Sequence, residues 1–410
     1  MENFDYGMET ERLLQWLGQF GPDPEGGMSR LLYKKSWVAA QQALAQHMRD
    51  NGFSVKYDAV GNLFGRIEGT EHPEETILTG SHVDTVKKGG LYDGALGIIG
   101  GLVALETLVK EYGKPKKSLE LVSFAEEEGS RFPYVFWGSK NLFGLAKPSE
   151  VENITDFDGI PFVEAMSKAG FSFLAADFKP RTDLKAFLEL HIEQGGVLER
   201  EKLPIGLVEA IVGQRRFTIK LKGEANHAGT TPMSYRRDAV YIFSKIECMI
   251  MEHAFAYGDP LVATVGKVEV TPNIVNVVPA EVLFTLDVRH TQKDKIVSFT
   301  DEVREKMQQI AKEANAEIEI DMWMDEDPVP LDPKIVDVLE EACKENGLSY
   351  RRMHSGAGHD SQIIAPRVPT AMLFVPSRAG ISHNPAEYTH PADLGEGVKA
   401  LRAALHALAY

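Results

Sequence analysis

Short apolar runs alternate along this chain with longer segments of helical periodicity, and this alternation is the feature that most restricts its fold. The runs occupy residues 76–82 (TILTGSH), 119–125 (LELVSFA), 186–192 (AFLELHI) and 370–376 (TAMLFVP). Strands that alternate with helices build a mixed or largely parallel sheet with helices on its faces. The pattern therefore predicts an α/β protein, and 410 residues are enough for two or three domains.

A different pattern occupies residues 212–326, which read as strand, helix, two strands, helix and strand. This β-α-β-β-α-β order is ferredoxin-like and predicts one inserted α+β domain. The acidic segment 325–333 (DEDPVPLDP) marks the return to the first domain, because its prolines interrupt any continuing strand or helix. We expect residues 1–211 and 327–410 to form the other, metal-binding domain.

Charge and cysteine content restrict the partners and the compartment. The formal net charge of -16 argues against nucleic acid, which requires clustered Lys and Arg, so a small molecule is the expected partner. Cys248 and Cys343 are too few for a disulfide framework, which fits a reducing compartment.

The acidic first residues do not resemble a signal peptide, and the apolar run 95–105 is far shorter than the ~20 residues of a membrane span. We expect a cytoplasmic protein without a membrane partner.

Potential metal ligands follow the ends of the four predicted strands. They are His82, the run Glu126–Glu128, His191 and His383. Ligand sites in open α/β sheets assemble at the carboxyl ends of the strands, so these side chains can converge although they are distant in the sequence. Imidazole and carboxylate groups together bind zinc, manganese, cobalt or nickel. The sequence therefore predicts a metal site at this edge of the sheet.

Asp93 is the expected bridge between two ions, because it lies in a Gly-rich loop (87–97) that can return to the same edge. A carboxylate bridges ions roughly 3.5–4 Å apart in hydrolytic two-metal sites. Each group also has an ordinary structural interpretation. Asp93 could cap the following helix, each histidine could be a hydrogen-bonded core or surface residue, and 126–128 could start a solvated helix. The coincidence of all these groups at strand ends favours the metal site.

Nine motifs resemble those of a known family, and they occur in the order found there. They are GSHVDT (80–85), YDGALG (92–97), EEEGSRF (126–132), HIEQG (191–195), ANHAGTTPM (225–233), NIVNVVP (273–279), DVRH (287–290), SGAGHD (355–360) and ISHNPAE (381–387). The series resembles the M20-type metallohydrolases, and within them the N-carbamoyl-L-amino-acid hydrolases, with allantoate amidohydrolases and β-ureidopropionases as close relatives. Many M20 peptidases carry a carboxylate at the position of His191, so the HIEQG motif resembles the ureidohydrolase branch.

The resemblance implies two divalent ions per subunit, with manganese, cobalt, nickel and zinc all compatible with the ligands. It implies that His82 and His191 hold one ion, that Glu128 and His383 hold the other, and that Asp93 bridges them.

Three consecutive glutamates leave open which of them act. Adjacent side chains point in different directions, so one carboxylate can bind metal while its neighbour moves a proton. The resemblance favours Glu127 as general base and Glu128 as ligand, and leaves Glu126 without a role. Asp84 is expected to orient the His82 ring from behind.

The resemblance also implies substrate contacts. Arg289, on a strand of the inserted domain, matches a carboxylate-binding arginine, although a strand arginine is often only a solvated edge residue. His227 and Asn276 match polar contacts from the same domain, and His227 is expected to stabilise the oxyanion. Gln194 and the backbone of Gly358 match contacts from the metal domain. The inserted domain is expected to act as a lid and to form a homodimer.

The implied reaction is hydrolysis of the ureido C–N bond of an N-carbamoyl-L-amino acid, which gives the L-amino acid, ammonia and carbon dioxide. Allantoate is the second candidate substrate, and a dipeptidase or aminoacylase activity is the third. A metal-dependent binding protein without catalysis is the alternative outside enzymes, but such a protein would not need Glu127.

Overall fold

The computed structural model describes residues 4–410. The first part of the chain forms α1 (Tyr6–Leu17), α2 (Lys35–Asp50), β1 (Ser54–Tyr57), β2 (Leu63–Ile67), β3 (His72–His82), α3 (Ala95–Tyr112), β4 (Lys117–Phe124), α4 (Trp137–Leu142), α5 (Pro148–Val151), α6 (Phe162–Lys168), β5 (Leu184–Ile192), α7 (Val197–Glu201) and β6 (Ile205–Ile211). The middle part forms β7 (Gly213–Lys222), β8 (Asn226–His227), α8 (Ala239–Tyr257), β9 (Val262–Thr271), β10 (Val277–Val278), β11 (Glu281–His290), α9 (Lys293–Glu313) and β12 (Glu317–Glu326). The last part forms β13 (Val329–Pro330), α10 (Pro333–Glu345), β14 (Tyr350–Ser355), α11 (Asp360–Ile364), β15 (Thr370–Val375) and α12 (Pro391–Ala409).

The chain divides into two compact units. Unit 1 runs to Glu209 and resumes at Leu331–Tyr410, and unit 2 is Ala210–Pro330. The sequence analysis placed the corresponding boundaries after residues 211 and 326. Within residues 4–410, none of the helices combines the length and the apolar character needed to cross a membrane.

Unit 1 contains eight strands of a nine-stranded mixed sheet, which confirms the predicted α/β class. The strand order is β1-β2-β4-β3-β5-β15-β6-β13, and β14 also pairs with β6. The four central strands β4, β3, β5 and β15 are parallel, and the flanking strands are antiparallel. The central strands are buried almost throughout, which explains why they read as continuous apolar runs rather than alternating ones.

Helix α3 packs directly on the central strands because glycines line its inner face. A Cβ atom at Gly97 would lie 2.6 Å from the Leu190 carbonyl oxygen on β5. One at Gly101 would lie 2.7 Å from Leu121 Cδ1 on β4. A larger residue at Gly97 would press against the backbone of β5 and force the helix away from the sheet, so the start of α3 is fixed relative to the strand ends.

The register of the central strands brings their carboxyl ends to one edge of the sheet. His82, the last residue of β3, lies opposite Phe124 at the end of β4. His191 on β5 lies opposite Phe374 on β15. The segments that leave these four strands therefore start side by side, as expected for the site-bearing edge of an α/β sheet.

Unit 2 has the predicted β-α-β-β-α-β order. Its four antiparallel strands are arranged β12-β7-β11-β9. Residues on β7 and β11 alternate between buried and partly exposed, because one face of the sheet packs on α8 and α9. The shared core includes Phe217, Ile246, Phe284 and Phe299. The short strands β8 and β10 form a separate antiparallel pair.

Candidate metal centre

Asp93 is the centre of a cluster of three histidines at the carboxyl edge of the unit 1 sheet. Its Oδ1 lies 3.1 Å from His191 Nε2 and 3.6 Å from His82 Nε2. Its Oδ2 lies 3.1 Å from His383 Nε2. The two carboxylate oxygens thus face different histidines, which is the arrangement that a bridging ligand requires. The alternative of a helix cap does not apply, because α3 begins after Gly94 without a side-chain cap.

The two buried histidines are oriented by hydrogen bonds on the far side of their rings. His82 Nδ1 lies 3.1 Å from the Asp84 carbonyl oxygen and 3.4 Å from Asp84 Oδ1. His191 Nδ1 lies 2.9 Å from the Ile192 carbonyl oxygen. We assign the hydrogen of both neutral rings to Nδ1 on this basis, so a ring that loses its second proton presents Nε2 to Asp93 as a potential ligand.

Asp84 also holds the backbone of the glutamate run. Its carboxylate accepts hydrogen bonds from the backbone N–H of Glu127 at 3.1 and 3.2 Å and of Glu128 at 3.2 Å. It therefore links the strand end that carries His82 to the segment after β4. Residues 126–128 do not start a helix.

Glu127 and Glu128 face the cluster, whereas Glu126 belongs to none of its potential ligand groups. Glu128 Oε1 lies 3.3 Å from His383 Nε2. Glu126 is buried and its Oε1 accepts a hydrogen bond from the Ser130 backbone at 3.3 Å.

The donor set fits two adjacent divalent ions. Ligand atoms of His82, Asp93 and His191 lie within 4.8 Å of one another, and so do those of Asp93, Glu128 and His383. Asp93 belongs to both groups, and imidazole with carboxylate is a suitable donor set for zinc, manganese, cobalt or nickel. These five residues are the ones that the resemblance implied. A further group, His82, Glu127 and Glu128, satisfies the same distance limit.

The titratable groups of this cluster shift one another's pKa. Burial opposes ionisation of Asp93, but hydrogen bonds from His191, His383 and His82 hold its pKa well below its usual range. Asp93 and Glu128 raise the pKa of the half-exposed His383 to about 10. The imidazoles therefore hold protons that an incoming ion must displace, so metal affinity should rise with pH.

Glu127 is a buried residue whose carboxyl group lies near other acidic groups. Burial raises its pKa well above the usual range, and the neighbouring carboxylates of Glu128 and Asp360 raise it further. A carboxylate with a raised pKa can both accept and return a proton near neutral pH.

Gln194 and Gly358 lie in unit 1 as expected, but with different surroundings. The Gln194 side chain donates a hydrogen bond from Nε2 to Asp93 Oδ2 at 3.0 Å, so it belongs to the metal cluster. Gly358 is in the exposed loop before α11, and a Cβ there would lie 2.8 Å from Gln362 Oε1. The loop backbone at this position is therefore closely packed on one side.

The three candidate substrate residues of unit 2 are all on its strands or adjacent to them. His227 on β8 is exposed, and its Nδ1 accepts a hydrogen bond from the Gly229 backbone at 3.0 Å, so a neutral ring carries its hydrogen on Nε2. The Ala228 backbone donates to the Asn276 carbonyl at 2.9 Å, which makes Asn276 a neighbour of this segment. Arg289 on β11 forms a two-point contact with Asp287, at 2.9 and 3.0 Å.

Glu189 is a buried residue of the centre that the sequence analysis missed. It accepts hydrogen bonds from Ser81 Oγ at 2.7 Å and from Ser361 Oγ at 2.6 Å. It thereby joins the residue before His82 to the start of α11. The signal was available, because residues two apart on a strand share a face and Glu189 precedes His191 by two.

His359 and Asp360, which had no predicted role, are also buried beside the centre. The His359 ring lies edge-on to His191 with centroids 4.6 Å apart, and its Nε2 is 2.8 Å from Ser355 Oγ. Burial lowers the pKa of His359 well below its usual range. Burial and the nearby Glu189 raise the pKa of Asp360 well above its usual range. Both groups therefore tend to be neutral.

Comparison with known proteins defines the class of this site. The chain matches peptidase family M20/M25/M40 over residues 78–407, and it belongs to that family. It is 54% identical over 400 residues to an allantoate amidohydrolase of Escherichia coli (strain K12), which covers 98% of this chain and 97% of the relative. It is 36% identical over 400 residues to an N-carbamoyl-L-amino-acid amidohydrolase of Paenarthrobacter aurescens, with 97% of both chains covered.

A solved structure agrees with this assignment. The crystal structure of an amidase of the hydantoinase/carbamoylase family from Burkholderia multivorans matches with a TM-score of 0.92 at 32% identity, covering 98% of this chain and 97% of that one. The protein is thus a metal-dependent amidohydrolase, which confirms the predicted class of enzyme. The substrate is a separate question, because the 54% identical relative carries the name that the sequence analysis ranked second.

Proposed function

We propose that the protein hydrolyses a ureido C–N bond in a small ureido carboxylate, and that allantoate is its substrate. The observation that carries the substrate choice is the 54% identity to an allantoate amidohydrolase over 98% of the chain, against 36% for the N-carbamoyl-L-amino-acid enzyme. N-carbamoyl-L-amino acids remain the second candidate, supported by that relative and by the TM-score of 0.92 to a hydantoinase/carbamoylase family amidase. Both substrates combine a ureido group with a carboxylate.

The proposed metal ligands are His82, His191, Asp93, Glu128 and His383, for which the distances around Asp93 are the support. Two divalent ions held there supply Lewis acidity and lower the pKa of a bound water toward neutrality.

Glu127 is proposed to remove a proton from the attacking water and to return it to the leaving nitrogen. Its raised pKa supports this role, because a base must be able to hold the proton between the two steps. The overall change converts R–NH–CO–NH₂ and water into R–NH₂, ammonia and carbon dioxide. The free amine and ammonia together carry both nitrogens of the ureido group.

Polar groups of both units are proposed to hold the substrate. His227 is suited to stabilise the oxyanion, since its Nδ1 accepts from Gly229 and its Nε2–H can donate. Arg289 is proposed to bind the substrate carboxylate, as its guanidinium already forms a two-point contact with the carboxylate of Asp287. Asn276, Gln194 and the Gly358 backbone are proposed as further contacts.

Unit 2 is proposed to act as a lid and to form a homodimer. Its strand β9 is at the edge of the four-stranded sheet, and Val262 and Val268 on it are 51% and 44% exposed. On α8, Tyr241 and Phe255 are 60% and 85% exposed. Large apolar side chains on an edge strand and a neighbouring helix are typical of an interaction surface. Light scattering that finds only monomers at micromolar concentration would reject the dimer.

The substrate proposal is tested by ammonia release from allantoate, N-carbamoyl-L-methionine and its D-enantiomer. The enzyme is loaded with Mn²⁺, and an EDTA-treated sample is the control. We expect the highest kcat/KM on allantoate, lost on chelation. A preference for N-carbamoyl-L-methionine would make the second candidate correct and leave the reaction type intact. No turnover of any ureido compound would reject the proposed reaction.

A further inference from the structure

Glu387 closes the ISHNPAE motif, four residues after His383, and its side chain is turned back toward the metal centre. It is only 5% exposed. Its Oε1 accepts hydrogen bonds from the backbone N–H of Tyr92 at 2.9 Å and of Asp93 at 3.1 Å. The carboxylate thus binds the backbone of Asp93, the proposed bridging residue.

The other oxygen of Glu387 reaches the segment that carries His383. Its Oε2 lies 2.8 Å from the hydroxyl of Ser382, the residue before His383. The same hydroxyl lies 3.1 Å from Asp93 Oδ2. Because it has a single hydrogen, the hydroxyl donates to either Glu387 or Asp93 at any one time. One buried side chain therefore contacts both the loop before α3 and the loop after β15, in addition to the contact of His383 with Asp93.

The backbone around Glu387 leaves room for its carboxylate to make this contact. A Cβ atom at Gly90 would lie 2.0 Å from Glu387 Oε1, so only glycine allows the loop to approach the carboxylate. The Glu387 backbone donates to the Asn384 carbonyl at 3.0 Å, which closes the turn after His383.

His383 itself has a backbone conformation that must be held by its surroundings. Its φ is 55°, in the left-handed region that non-glycine residues seldom occupy. Such a conformation costs on the order of 1 kcal/mol and persists only where neighbouring contacts fix it. The contact through Ser382 is one of these.

We propose that Glu387 is a positioning residue that fixes Asp93 relative to His383. It thereby sets the geometry of the ligand group formed by Asp93, Glu128 and His383. Its partners are two backbone amides and a hydroxyl, so it acts through the ligands. This inference rests on the proposed metal ligands and is independent of the substrate.

Mn²⁺ binding in the absence of substrate tests the proposal. It is measured by calorimetry and by metal analysis after dialysis. We expect two ions in the wild-type protein. Glu387→Ala should weaken one of them by at least about 10-fold, as is usual when a ligand loses the partner that orients it.

Glu387→Gln should bind both ions nearly as the wild type does. Its amide oxygen can accept from the Tyr92 and Asp93 N–H groups, and its NH₂ can donate to Ser382 Oγ. Glu396→Ala is the matched control, because it removes a glutamate paired with Lys399 on the surface of α12. It should leave both affinities unchanged.

Two full-affinity ions in Glu387→Ala, or an equal loss in Glu387→Gln, would overturn the proposal. A wild-type protein that binds no Mn²⁺ would instead reject the metal ligands under the proposed function. Thermal unfolding in EDTA checks that the variants fold. If Glu387→Ala has no cooperative transition, Ser382→Ala replaces it, with a few-fold loss for one ion expected and unchanged affinities contradicting the role.

Discussion

The two ends of the parallel strands in unit 1 hold buried carboxylates in opposite ways. At the carboxyl edge, Asp93 faces the imidazoles of three histidines. In the amino-terminal half, Glu120 on β4 is fully buried and its Oε2 lies 2.5 Å from Arg181 Nη1. Arg181 also contacts Asp183, whose Oδ2 accepts a hydrogen bond from Thr76 Oγ1 at 2.7 Å.

The difference lies in whether the protein itself supplies a permanent positive charge. A guanidinium stays charged at every pH that the protein tolerates, so the charge of Arg181 opposes those of Glu120 and Asp183 without any added ion. An imidazole can lose its proton and become a ligand, so the carboxyl edge can exchange protons for metal ions. The first arrangement is balanced in charge within the protein, whereas the second is suited to take up cations. The two ends should therefore respond differently to similar mutations.

The largest expected effect is on catalysis and comes from Glu127→Gln. This change keeps the size of the side chain but removes its ability to accept a proton. We expect kcat to fall by about 10²–10⁴-fold, the usual contribution of a general base. Metal content should stay at the wild-type level. Ammonia release and metal analysis on the same preparation check this, and an unchanged kcat would exclude Glu127 as the base.

The same substitution at the two ends should affect metal binding at only one of them. Asp93→Asn removes a shared ligand charge, and we expect Mn²⁺ affinity to fall by more than about 100-fold, beyond the loss typical of an outer partner. Asp183→Asn should keep the wild-type affinity, because Asp183 contacts Arg181 and Thr76 rather than the histidines. Calorimetry on both variants is the measurement. Equal losses would mean that the two ends are coupled.

Stability should depend most on the arginine end. Arg181→Met leaves Glu120 buried without its nearest cation, and we expect a loss of about 3 kcal/mol in the free energy of unfolding. Lys56 and Arg66, at 3.8 and 4.0 Å from Glu120, limit the loss to this range. Urea unfolding in EDTA measures it. A drop in metal content of the folded variant would contradict the separation of the two ends.

The smallest effect depends on pH. Burial opposes ionisation of Asp183, but hydrogen bonds from Arg181 and Thr76 lower its pKa to about 2, against about 3.9 in an unfolded chain. This stabilisation is complete above pH ~4 and is lost as the pH falls through 2. Because the carboxylate is partly exposed, screening reduces it to about 1 kcal/mol.

Asp183→Asn should therefore be less stable than the wild type at pH 7, and the difference should narrow at pH 3. Unfolding midpoints at both pH values test this. A difference that is the same at both would show that the charge of Asp183 is not the cause.

Much of this organisation could be predicted from the sequence. The features that could not be predicted depend on contacts between loops that are distant in the sequence. The α/β class followed from the spacing of apolar runs, and the approach of His82, His191 and His383 followed from their position at strand ends. The hydrogen bonds of Asp84 to Glu127 N–H could not be predicted, because they depend on how two loops meet in space. The hydrogen bond that Glu387 accepts from the Asp93 backbone could not be predicted for the same reason.

The substrate ranking shows a different limit. The motif series is specific to the family and less specific to the substrate. The sequence analysis placed N-carbamoyl-L-amino acids before allantoate on that series alone. Similarity over the whole chain favours allantoate.

The glycines that let α3 pack closely on the sheet also make the helix depend on that sheet for its stability. Gly97, Gly100 and Gly101 each lower the intrinsic stability of this helix by about 1 kcal/mol relative to alanine. Much of the stability of this helix therefore comes from packing on β3, β4 and β5. Asp93 precedes that helix by two residues, so the position of this proposed ligand depends on how α3 packs on the strands. A substitution that loosens α3 on the sheet should therefore also weaken metal binding.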